Sequence, residues 1–121
     1  MLTKRFDPRI VEKEAWANFF DMVNKHMVGH PMDVEVASLE IGDQIADEWV
    51  ALEGVTYDPK RDVVHVQTDP IDHLIPRPRE IGVEQVGMEI RTIIIRNAWG
   101  ELQILRFKEP LLLPASTASG H

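Results

Sequence analysis

The chain contains no cysteine. That excludes disulfides, thiol nucleophiles and thiolate metal sites, and it accords with a reducing compartment. Long apolar runs are missing too, since none approaches the about 20 residues that a membrane helix needs. The basic start Met1-Leu2-Thr3-Lys4-Arg5 meets Asp7-Pro8 at once, without the apolar stretch of a signal peptide. The expectation is a cytoplasmic protein with no membrane partner. Positive charge is scarce: 13 Lys and Arg stand against 20 Asp and Glu, a net charge of −7. Such a balance disfavours attraction to nucleic acid phosphates, so no nucleic acid partner is expected. Gly42, Gly54, Gly82, Gly87 and Gly100 are scattered and build no phosphate-cradling loop. No cofactor is implied.

What remains is ordinary globular material, 44% hydrophobic and 27% charged over 121 residues. One domain over 1–114 is expected, followed by a small, polar, frayed tail over 115–121. Asp7-Pro8 reads as an N-cap followed by a proline at N1, opening a helix over 8–28 that Gly29-His30-Pro31 stops. On it Val11, Ala15, Trp16, Phe19, Phe20, Met22, Val23 and Met27 share one half of the wheel, with Asn24 among the polar residues of the other half. Beyond Pro31 the apolar period drops to two, the mark of strands. Asp33 to Ile41 alternates but slips at Ala37-Ser38, which predicts a bulge. Gly42-Asp43 is a turn, Gln44 to Leu52 returns, and Gly54 marks a second bend. Asp58 to Asp62 is a turn, and Val63 to Thr68 a strand. Further strands follow over 80–85, 88–96 and 101–107, with Asn97-Ala98-Trp99-Gly100 as the last turn.

The expected fold class is α+β. An N-terminal amphipathic helix packs on a bent, meandering antiparallel sheet of about five to seven strands, with closure into a small barrel as one form. In outline this is similar to Sm-like folds, although the acidic charge speaks against the RNA binding such folds often carry. Ile93-Ile94-Ile95 and Trp49-Val50-Ala51-Leu52 are apolar on both strand faces. A single covering helix buries one face only, so either the sheet curls or a second copy covers the other face.

The segment from Asp69 to Arg79 carries two acids, a histidine, two arginines and three prolines. Proline fixes φ and removes a donor, so the stretch reads as a stiff, shaped loop rather than a ladder strand. Asp72, His73, Arg77 and Arg79 are its candidate ligand-binding residues. A histidine oriented by Asp69 or Asp72 can act as a base, and arginine forks suit carboxylates or phosphates. The plainer reading is a turn capped by aspartate, with arginines paired to Glu80 or Glu84. No serine in a nucleophile context completes a triad, so no catalytic residue is assigned. His26 and His30 are four apart, but Gly29 interrupts the helix between them, and no metal ligand is assigned. Glu35, Glu40, Asp43, Asp47, Glu48 and Glu53 crowd the first hairpin and read as its solvated side.

Trp16 with Phe19, the element Gly54-Val55-Thr56-Tyr57-Asp58-Pro59, and His73-Leu74-Ile75 with Pro78 and Ile81 resemble a family of short bacterial proteins. That family is known only as a domain of unknown function, and the resemblance spans about Phe6 to Glu109. It implies no activity or cofactor. The expected function is a non-enzymatic, self-associating protein-interaction domain, a homodimer with a possible protein partner. The alternative is a small anionic-ligand binder or hydrolase-like enzyme with its site in 69–79.

Overall fold

The computed structural model describes residues 9–38, 42–69 and 72–112, with Asp43, Ile45, Ala46 and Asp47 described by their backbone alone. The Asp7-Pro8 helix start, the strand end Leu39 to Ile41, Pro70 and the tail 115–121 lie outside the described residues. The elements run β1 (Arg9–Val11), a 3-10 turn (Lys13–Ala15), α1 (Trp16–Met27), β2 (Pro31–Ser38), β3 (Gly42–Asp58), β4 (Val63–Thr68), β5 (Asp72–Pro76), β6 (Pro78–Val86), β7 (Glu89–Asn97) and β8 (Leu102–Leu112). The α+β class holds. Among the described residues the sheet has eight strands, more than expected, in the order β1-β6-β7-β8-β2-β3-β4-β5, with every pairing antiparallel. Two meanders, β2 to β5 and β6 to β8, are joined where β8 returns to β2. One residue, Arg77, joins β5 at one edge of this order to β6 beside the other edge, so the sheet curls while its ladder keeps β1 and β5 as edges. No helix among the described residues is long and apolar enough to cross a membrane.

The helix starts later than its sequence pattern predicts. Residues 9–11 instead pair with β6, Arg9 opposite Val83 and Val11 opposite Ile81. An available sheet edge outweighs the helical propensity of a first turn. Val11 is buried either way, and its carbonyl accepts the Trp16 indole N–H at 3.0 Å. Of the apolar stripe, Trp16, Phe19, Phe20, Val23 and Met27 are buried against the sheet and Met22 is half-buried, whereas Ala15, in the 3-10 turn, is exposed. Each such aromatic contributes on the order of 2–3 kcal/mol by burial.

The bulges of the first hairpin lie elsewhere than predicted. Register is regular at Ala37 and Ser38, and the shifts fall between Met32 and Glu35, opposite Ile45 to Val50. Trp49 sits there with φ +52° and is exposed. A further shift between Leu52 and Gly54 sets Glu53 as an extra residue and bends β3 away from β2 toward β4, as the Gly54 signal implied.

The doubly apolar centre of β7 has an explanation within one chain. Ile93 and Ile95 join the main core cluster. Ile94 faces the other way, opposite Gly82 and Ile104, and is still only 7% exposed. Glu35, beside Ile104 on that face, is buried as well and bonds to Arg106, rather than lying on a solvated side. The apolar run therefore does not by itself require a second copy.

Candidate functional site

The segment read as a proline-stiffened loop is largely strand. Asp72–Pro76 pairs with β4, Val64 opposite Ile75 and Val66 opposite His73, and Pro78 already opens β6. Proline is tolerated here because β5 is an edge strand, where a missing N–H on the outer side breaks no ladder bond. Between the two strands only Arg77 turns the corner, with φ +49°. That left-handed conformation costs an L-residue about 1–2 kcal/mol.

Three turns meet at this corner and are tied by their backbones. The Arg77 N–H donates to the Asp62 carbonyl at 2.8 Å, across to the β3–β4 turn. The Arg77 carbonyl accepts the Ala98 N–H at 2.9 Å, from the β7–β8 turn. Asp62 is itself left-handed, φ +57°. Asn97 is buried and organises the last turn: its Oδ1 accepts the Trp99 and Glu101 N–H groups, both at 3.0 Å, and so sets Trp99 at the tip. The Arg77 guanidinium lies 5.9 Å from the centroid of the Trp99 ring, within cation–π range.

Beside it sits a tighter polar cluster. The Tyr57 hydroxyl donates to Asp62 Oδ1 at 2.9 Å, and Arg79 Nη1 donates to Asp62 Oδ2 at 3.2 Å. Trp16 packs edge-on against Tyr57 at 5.0 Å, with the Lys13 ammonium above both rings. Burial, then the bond to the Asp62 carboxylate, raises the Tyr57 pKa. The bond from Tyr57, aided by Arg79, lowers that of Asp62 against the opposing effect of burial. Tyr57 is thus held protonated and Asp62 ionised. Neither is poised to exchange a proton near neutrality, as acid–base catalysis requires.

The four candidate residues of the sequence divide among three surroundings. Asp72 Oδ2 approaches His65 Nε2 to 3.2 Å on the outer face of β4 and β5, but without hydrogen-bond alignment. His73, next in an extended strand, points to the opposite face with Ile75 and is half-buried. Arg79 serves Asp62, not Glu80 or Glu84; Glu80 pairs with Arg96 instead. Arg77 stacks on Trp99. His26 is exposed and His30 lies 3.3 Å from Glu109. Among the described residues no three His, Cys, Asp or Glu gather as metal ligands. A groove between α1 and β3, lined by Ala17, Phe20, Asp21, Val55, Thr56 and Tyr57, measures ≈ 110 Å³. Small-molecule sites run to about 300–1,000 Å³.

Sequence reading missed Asp62, Trp99 and Asn97. Trp99 lies in the turn that Asn97 to Gly100 predicts, but its partner Arg77 is brought to it only by the fold.

The model of a family described as "Family of unknown function (DUF5335)" matches residues 8–116. An uncharacterised protein of the bacterium Aquifex aeolicus (strain VF5) is 39% identical over 107 residues, covering 88% of this chain and 96% of that protein. No solved structure matches. The resemblance carried by Trp16, Phe19, Gly54 to Pro59 and His73-Leu74-Ile75 is therefore borne out.

Proposed function

The chain belongs to this family of unknown function, and we propose that it acts as a non-enzymatic domain that self-associates through the free edge of β5. The observation that carries this is the edge itself. Among the described residues β5 pairs with β4 alone, and Leu74 at its centre is 61% exposed. With Val55 turned toward the helix, the antiparallel alternation through β4 leaves Asp72, Leu74 and Pro76 facing outward along the edge.

A two-fold axis at Leu74 matches this edge to itself. Leu74 exchanges two backbone bonds with its symmetry mate, and each Asp72 N–H finds a Pro76 carbonyl. The missing proline N–H forfeits one bond per copy and no more. Burial of the two leucines supplies the apolar contact. A ladder of five residues falls short of the about 1,000 Å² of a firm interface. A reversible dimer, with dissociation on the order of 10⁻⁵ M, is the expected form.

Light scattering across a concentration series tests this. Growth of the apparent mass toward two chains is expected, and Leu74→Lys, which sets two ammonium groups side by side at the axis, returns it to one. A single-chain mass at every concentration would overturn the reading, as would a dimer indifferent to Leu74→Lys.

A further inference from the structure

We infer that Arg77 and Trp99 form a docking site for an acidic segment of a partner protein, with a carboxylate on the guanidinium and an apolar side chain on the indole. The chain holds 20 acids against 13 Lys and Arg, and Arg79, Arg91, Arg96 and Arg106 each bond a carboxylate. Arg77 has no carboxylate partner among the described residues, and its side-chain contact is Trp99. In a chain with surplus acid, an arginine left for an indole has its fork open to an external carboxylate.

At φ +49° glycine is the favoured residue. An arginine there strains the chain while adding nothing to the core, which suits a side chain used outside the fold. The pair is also rigid although exposed. Trp99 is 65% exposed, yet its turn is fixed by Asn97 and its cation by the two backbone bonds of Arg77. Tryptophan and arginine held in place are the residue types that dominate binding hot spots. The surface is open rather than enclosed, so a free small anion would find one fork and no walls. An extended peptide can cover both residues. This site lies on the corner rather than along the β5 edge, so it stands apart from the self-association reading.

The probe is the acetylated, amidated peptide EELFEE, followed through the Trp99 indole N–H resonance in nitrogen-15 spectra, assigned with Trp99→Phe. A saturable shift with a dissociation constant on the order of 10⁻⁴ M is expected. Arg77→Gly should weaken it about tenfold or more without lowering the thermal midpoint. Arg77→Asn, which also tolerates the left-handed region, gives the same comparison should the glycine variant fold poorly. No shift at millimolar peptide, an equal shift with KKLFKK, or undiminished affinity in both variants would overturn the proposal. So would a full shift with inorganic phosphate alone, which would mark a site for free anions.

Discussion

The side-chain amide of Asn24 grips both backbone groups of Val55. Its Nδ2 donates to the Val55 carbonyl at 2.9 Å, and its Oδ1 accepts the Val55 N–H at 2.8 Å. Past the bulge at Glu53, β3 has left β2, and among the described residues no strand neighbours the side of Val55 that faces the helix. One amide stands in for a strand residue and ties α1 to the sheet. Gly54 belongs to the same device: a Cβ there would come 3.2 Å from Gln67 Oε1 and 4.0 Å from Asn24 Oδ1.

Asn24→Ala is expected to cost about 2 kcal/mol, because two half-buried backbone groups lose their partner. Asn24→Asp should cost a similar amount at neutral pH, when a carboxylate faces the Val55 carbonyl. Its stability should recover on acidification, as the protonated acid can donate again. Urea unfolding at pH 7 and pH 4 measures both, and an Asn24→Asp variant with the same deficit at both pH values would contradict the assigned geometry.

Tyr57 and Asp62 set the limits of a pH plateau. The Asp62 pKa is lowered in the fold, so its contribution is present above the ordinary value near 3.8 and is lost as pH falls through the folded value. That of Tyr57 is raised, so its contribution is present below 10.0 and is lost as pH rises through the folded value. Thermal midpoints should therefore be level between these limits as far as this pair is concerned. Tyr57→Phe should remove about 1 kcal/mol across the plateau and flatten the alkaline fall. An unchanged alkaline limb would show that other groups set it.

Arg106 covers the buried Glu35 carboxylate on the outer face of the sheet. Arg106→Met should cost about 2 kcal/mol, the loss of a charge-assisted hydrogen bond to a buried carboxylate from a part-exposed arginine. The double replacement Glu35→Gln with Arg106→Met should recover much of it. A double variant as unstable as Arg106→Met alone would mean that packing by the arginine stem, not its charge, is what matters.

Asn97→Ala should lower stability by about 1–2 kcal/mol through loss of the turn bonds. It should also broaden the Trp99 indole resonance, because that turn would no longer hold the ring over Arg77. A sharp, unshifted resonance would locate the rigidity of Trp99 elsewhere.

Local pattern carried much of the fold. The stripe from Trp16 to Met27, the alternation of Val64, Val66 and Thr68, and the turns at Asp58 and Asn97 depend on near neighbours, and the chain shows them directly. Residues 9–11 misled because the same apolar spacing serves a helical turn or a short strand, and only the β6 edge decides between them. The 72–76 segment misled because proline excludes a central strand but not an edge strand, and edges are assigned by topology.

The sequence by itself determined the α+β class, the apolar helix face, the lack of thiol chemistry and the family. These follow from composition and from spacings within a turn or a strand. Tertiary structure alone decided that Asp72 meets His65, that Arg79 serves Asp62, and that Arg77 and Trp99 stand together at a corner. Each of these pairs joins residues on different strands or turns, and their approach is fixed by register and by left-handed corners that leave no periodic trace in the chain.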